Sequence, residues 1–190
     1  ELAGEIVKSV VAAVDVPVTV KCRLGWDKGS INVLDFTKRM EDSGADMVTV
    51  HGRTRAMLYS GVADWDMITK VKQQLSIPVI ANGGVFSNAD AETLIKETGA
   101  DGVMVARASL FDPQIFCELT GTATENKYEM FEKQLKWTQQ VCDERFVVVF
   151  MRKMAAFYVK GMRGASVFKE RLFKAQTPEE ILDIARQIWA

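Results

Sequence analysis

Lys21, His51, Asn82 and Arg107 each end a short apolar run: Val-Thr-Val, Met-Val-Thr-Val, Pro-Val-Ile-Ala and Val-Met-Val-Ala, respectively. Runs of this kind, β-branched and without polar alternation, are expected of parallel strands buried on both faces. The last residue of such a strand lies at the carboxyl edge of the sheet, where α/β folds bind ligands and do chemistry. Lys, His, Asn and Arg there make a polar, net cationic rim suited to an anion. Asn82-Gly83-Gly84 precedes a helix expected to start near Ser87. Paired glycines let backbone amides approach a phosphate, and a helix N-terminus adds partial positive charge. Arg107, after the next strand, can hold a phosphate through two parallel hydrogen bonds. Lys21 has two uses open to it: a Schiff base, which calls for a lowered pKa, or a fixed charge beside the pyrimidine edge of a flavin.

The cysteines offer less. Cys22, Cys117 and Cys142 are odd in number, far apart and in no Cys-x-x-Cys pair. That pattern speaks against a disulfide framework or a metal site and for a reducing, cytoplasmic setting. Cys22 follows Lys21 and points to the other side of the strand, so it reads as a small buried residue. Cys117 and Cys142 fall in expected helices among apolar neighbours. None is expected to be a catalytic acid.

The elements that position the rim show an internal repeat. Asp15-Val-Pro-Val-Thr-Val-Lys21 matches Ser76-Ile-Pro-Val-Ile-Ala-Asn82, and Gly44-Ala-Asp-Met-Val-Thr-Val-His51 matches Gly99-Ala-Asp-Gly-Val-Met-Val-Ala-Arg107. Segments of helical period lie between them, at 31–43, 64–74 and 87–98, with one more over residues 1–13. Gly44 and Gly99 stand where helix-ending glycines belong, and Ser87 with Asp90 marks a helix start. Alternating strands and helices imply right-handed βαβ crossovers and an α/β fold. Four strands cannot close an eight-stranded barrel, which takes about 250 residues. An open four-stranded sheet is one solution; the repeat favours the C-terminal half of a (βα)8 TIM barrel over residues 1–120. Residues 121–126 read as a linker, and 127–190 as a small all-α domain with helices at 127–144, 146–160, 165–174 and 178–189. Within it, Val147-Val-Val is locally strand-like.

The 190 residues are 48% hydrophobic and 26% charged, an ordinary globular composition that excludes disorder and fibrous folds. No apolar run approaches the roughly 20 residues of a membrane span, so no membrane partner is expected. Net charge is only −1, but it is unevenly placed. From Arg145 to Lys174 eight basic residues face one acid, Glu170. Arg145, Arg152, Lys153 and Lys160 recur every seven or eight residues, which puts them on one face of a helix. Such a face is either plainly solvated or a footprint for a nucleic-acid backbone.

Val20-Lys-Cys-Arg-Leu-Gly-Trp-Asp27, His51-Gly-Arg-Thr-Arg55, Tyr59-Ser-Gly-Val-Ala-Asp-Trp65 and Ile77-Pro-Val-Ile-Ala-Asn-Gly83 resemble the tRNA-dihydrouridine synthases, above all their bacterial B-type branch. Met151–Gly161 resembles the C-terminal helical domain of that family. The resemblance implies an FMN-dependent oxidoreductase that reduces uridine to 5,6-dihydrouridine in tRNA with NADPH as reductant. It carries FMN contacts to Lys21 and His51 at the ring end and to Asn82, Gly83, Gly84, Ala106 and Arg107 at the phosphate. It places Arg53 and Arg55 where RNA approaches, and makes the basic face, Arg145, Arg152, Lys153, Lys160 and Arg163, the tRNA contact. The family pattern is altered at Gly84, Ala106, Met154 and Met57, where Asp, Gly, His and Gln are usual. The family's catalytic cysteine sits in an Asn-x-x-Cys-Pro motif, and no cysteine here precedes a proline. The acid is therefore expected upstream of Glu1, and the chain alone is expected to be inactive. Other classes fit part of the pattern: a dihydroorotate- or dihydropyrimidine-dehydrogenase-like flavin barrel, a non-catalytic RNA-binding half-barrel, or a half-barrel that self-associates through its open edges.

Overall fold

A computed structural model describes residues 1–189. The elements run α1 (Leu2–Ala13), β1 (Thr19–Arg23), α2 (Val33–Asp42), β2 (Met47–His51), α3 (Trp65–Gln74), β3 (Val79–Asn82), α4 (Asn88–Thr98), β4 (Gly102–Met104), α5 (Arg107–Phe111), α6 (Ile115–Thr120), α7 (Lys127–Val141), α8 (Glu144–Tyr158), α9 (Ala165–Lys174) and α10 (Pro178–Trp189). The protein is thus α/β, and its chain forms two compact units, Glu1–Ala106 and Arg107–Ala190.

In the first unit the strands pair in the order β1-β2-β3-β4, all parallel. Right-handed crossovers carry α2, α3 and α4 to one side of such a sheet. The residues facing those helices are Val48, Val50, Val79 and Ala81, none with any exposed surface. The register places Lys21 beside Thr49, Arg23 beside His51, His51 beside Asn82, and Asn82 beside Met104. These side chains share the opposite face, since side chains alternate along a strand. The helices begin and end as their capping residues dictate. Ser87 accepts from the Asp90 amide at the start of α4, and Gly99, at φ 66°, ends it.

The sequence repeat has a physical counterpart. Asp46 accepts a 2.7 Å hydrogen bond from the Val18 amide while its own amide donates to the Val18 carbonyl. Asp101 does the same with Val79, also at 2.7 Å, and adds an ion pair to Lys72. Each Gly-Ala-Asp therefore clasps the start of its own strand to the start of the strand before.

The second unit holds only helices among its described residues. Its core gathers Phe131 and Leu135 from α7, Val147, Met151, Ala155 and Tyr158 from α8, Leu172 from α9, and Ile181 and Ala185 from α10. Spacings of four, four and three residues put Val147, Met151, Ala155 and Tyr158 on one stripe of α8. That period overrides the strand preference of the valine run. Asp143 caps the helix by accepting from the Phe146 amide. Phe111 of α5 packs edge-on against Phe157, centroids 6.0 Å apart. Residues 107–120, expected with the strands, thereby group with the helices, and 121–126 connect α6 to α7.

Candidate functional site

Three of the four expected strand-end residues stand on one face of the sheet: Lys21, His51 and Asn82. Lys21 is exposed, and partial burial, followed by the charge of nearby Arg23, lowers its ammonium below the ordinary lysine value. Asn82 is buried, and its side-chain amide donates to the Met104 carbonyl at 2.7 Å. Its backbone carbonyl accepts from Gly52 at 3.0 Å, so this one residue joins the ends of β2, β3 and β4. Arg107 lies beyond the end of β4, as the first residue of α5 in the second unit, directly after Ala106. Cys22 lies on the helix-bearing face, and burial pushes its thiol up to about 11.

The loop after His51 is built by arginines. Arg53, expected at an RNA-facing surface, is only 5% exposed. Its Nε donates to the Ser60 carbonyl at 3.2 Å and its Nη2 to the Gly61 carbonyl at 2.8 Å. Its Nη1 lies 3.3 Å from His51 Nε2. Arg23, which the sequence did not single out, donates through Nη1 to the Thr54 and Leu58 carbonyls. Arg55 does reach the surface, its guanidinium 5.9 Å from the ring centre of exposed Trp26. Asp64 and Gly52 close the loop through a 2.6 Å backbone hydrogen bond; a Cβ at Gly52 would meet the Asp64 carbonyl oxygen at 2.9 Å.

The glycine pair is explained first by packing. Gly83 has φ +116°, and a Cβ there would lie 2.9 Å from His51 Cδ2 and 3.1 Å from Ala63 Cβ. Trp65 Nε1 donates to the Gly83 carbonyl at 3.2 Å and its ring covers Gly84. The first turn of α4 is already occupied: Ser87 takes the Asp90 amide, and the Asp90 carboxylate takes the Phe86 amide at 2.9 Å. That carboxylate disfavours a second anion at this helix end.

In the second unit, Arg145, Lys153 and Arg163 are exposed. Lys160 lies past the end of α8, its ammonium 4.2 Å from the Phe111 ring centre. Arg152 donates to the Ala175 carbonyl beyond α9, while its Nε is buried without a hydrogen-bond partner. Arg145 and Arg152 line a groove of about 510 Å³ with Val148, Val149, Gln176 and Glu144. The basic residues expected to act together thus divide, with Arg152 and Lys160 partly engaged within the fold. A larger cavity, about 560 Å³, is lined by the mixed charges of α1 and α2, such as Lys8, Asp35 and Arg39, and is not at the strand ends. Among the described residues no group of His, Cys, Asp and Glu could hold a metal, and no helix is long and apolar enough to cross a membrane.

The family model for dihydrouridine synthase matches residues 1–189. The chain belongs to the dihydrouridine synthase family. A probable tRNA-dihydrouridine synthase 1 from Synechocystis sp. is 45% identical, covering 98% of this chain and 55% of that protein. A tRNA-dihydrouridine synthase B from Pseudomonas syringae pv. tomato is 41% identical over 87% of this chain and 48% of its own length. The chain spans about half the length of the synthases it matches. Among solved structures, a mandelate oxidase aligns with 97% of this chain and 67% of its own at 15% identity and a TM-score of 0.37; a likeness this low establishes neither fold nor function. The synthase motifs gain structural roles here. His-Gly-Arg-Thr-Arg forms the braced loop, and Ala-Asp-Trp supplies the cap of α3 and the indole over the glycine turn.

Proposed function

We propose that this chain is the C-terminal half-barrel and helical tRNA-binding domain of an FMN-dependent tRNA-dihydrouridine synthase. The family match across residues 1–189 carries the proposal. The shared face of Lys21, His51 and Asn82 supports it. Bound FMN would supply the hydride that reduces the C5–C6 double bond of uridine, with NADPH as the ultimate reductant. Lys21 would hold positive charge beside the flavin ring and His51 would hydrogen-bond nearby. Gly83, Gly84, Asn82, Ala106 and Arg107 would hold the phosphate. Arg55 and the exposed Arg145, Lys153 and Arg163 would meet the tRNA backbone. Buried Arg53 would act on the loop and not on RNA. The proton for the uracil ring must come from elsewhere, because Cys22 lies across the strand from Lys21 with its thiol raised to about 11.

The test is a single-turnover assay on unmodified tRNA, with FMN and NADPH added to the purified chain. The expected result is flavin binding, seen as quenched FMN fluorescence, without dihydrouridine. Dihydrouridine formed by the chain alone would refute the missing acid, and an absence of flavin quenching would refute the cofactor site.

A further inference from the structure

We infer that Arg53 is a positioning residue that holds His51 as the neutral imidazole protonated on Nδ1. A guanidinium has five N–H donors and no acceptor. Arg53 Nη1 lies 3.3 Å from His51 Nε2, so that ring nitrogen offers a lone pair and the single ring proton sits on Nδ1. The other tautomer would set N–H against N–H in a place where His51 is 6% and Arg53 5% exposed. Two opposed donors, buried beyond the reach of bulk water, carry an unrelieved desolvation cost.

The surroundings hold both partners in place. A Cβ on Gly83 would lie 2.9 Å from His51 Cδ2 and 3.2 Å from Nε2, so the β3 turn lies against that edge of the ring. Arg53 is tied through its other nitrogens to the Ser60 and Gly61 carbonyls. On the flanking strands, His51 pairs in register with Arg23 on one side and the uncharged Asn82 on the other. A proton on Nε2 would add a cation directly beside the Arg53 guanidinium. The ring proton of His51 is therefore placed on Nδ1, away from Arg53. The use of that donor toward a ligand rests on the flavin reading above; the tautomer does not.

The chain contains one histidine, which makes the test direct. Nitrogen-15 histidine labelling and two-bond proton–nitrogen correlation spectra, at mildly alkaline pH, report both ring nitrogens of a single residue. The expected spectrum has a pyrrole-type Nδ1 and a pyridine-type Nε2, the reverse of the form that an unrestrained imidazole favours. A pyrrole-type Nε2, or an averaged pair, overturns the inference. Arg53→Lys keeps donors and no acceptor, and retains the pattern. Arg53→Met removes the donor and moves the spectrum toward the Nε2–H form; a folded Arg53→Met chain with an unchanged pattern overturns the role of Arg53. If circular dichroism shows that Arg53→Met does not fold, the wild-type and Arg53→Lys spectra decide. Titrating FMN into the same sample tests the flavin reading separately, since a failure to bind leaves the tautomer assignment standing.

Discussion

Gly83 joins two demands at one residue: a backbone conformation that side chains resist and a position pressed against His51. With φ at +116°, and only 2.9 Å between His51 Cδ2 and the place a Cβ would take, Gly83→Ala must move either the β3 turn or the imidazole. Backbone strain of this kind costs about 1–3 kcal/mol. The variant is expected to lower the urea midpoint by a corresponding amount and to weaken FMN binding together with it. An alanine chain as stable as wild type, with unaltered FMN affinity, would show that the turn can relax freely. His51, Arg53, Gly83 and Trp65 are best regarded as one packed group, so their substitutions should not add independently.

At the level of elements, carboxylates secure the starts of the strands. Glu41, at the end of α2, accepts from the Ser76 amide and hydroxyl, both at 2.7 Å, and pairs with Lys38 at 2.6 Å. The Lys38 ammonium first, and the Ser76 hydroxyl second, pull the Glu41 carboxyl down to about 2. A folded-state pKa below the unfolded value of about 4.3 contributes stability above that pH. That contribution is lost as pH falls from about 4.3 toward about 2. Urea midpoints measured against pH should therefore show a gap between wild type and Glu41→Gln that is full near neutrality and narrows across this acid window. A gap independent of pH would mean that the Ser76 bonds, and not the charge, carry the effect.

For the whole molecule, the uneven charge matters more than the net value of −1. Arg145, Lys153 and Arg163 reach solvent, and the proposed function therefore predicts tRNA binding that weakens steeply with salt. Replacing these three by Gln should flatten the plot of log affinity against log salt by about 0.7–0.9 for each phosphate that is no longer neutralised. An unchanged slope in a folded triple variant would move the RNA-binding face to another surface. Arg152 differs from them. Its bond to the Ala175 carbonyl ties α8 to the end of α9, and its removal should reduce stability as well as affinity.

The bounds of α5 and α6 and the place of Arg107 at the start of α5 were not legible in the sequence; the order of strands and helices through β4, the four long helices after residue 126, the caps at Ser87 and Gly99 and the repeat were. Each depends on local spacing: two residues per side-chain alternation, 3.6 per helical turn, and a short polar side chain or glycine at a helix end. The Val147 run, expected within a helix over 146–160 although locally strand-like, is helical in α8, where its strand preference yields to burial among Phe131, Leu172 and Ile181. Charge was less legible. Arg53 and Arg55 are alike in sequence, but one is buried under loop carbonyls and the other lies over Trp26. The sequence by itself determined that Lys21, His51 and Asn82 gather at the strand ends, because strand alternation is a short-range property; Arg107, expected with them, opens α5 instead. Only the tertiary structure decided which of the cations face solvent and which brace the fold, because that depends on carbonyls brought close by chain folding: Ser60 and Gly61 for Arg53, Ala175 for Arg152.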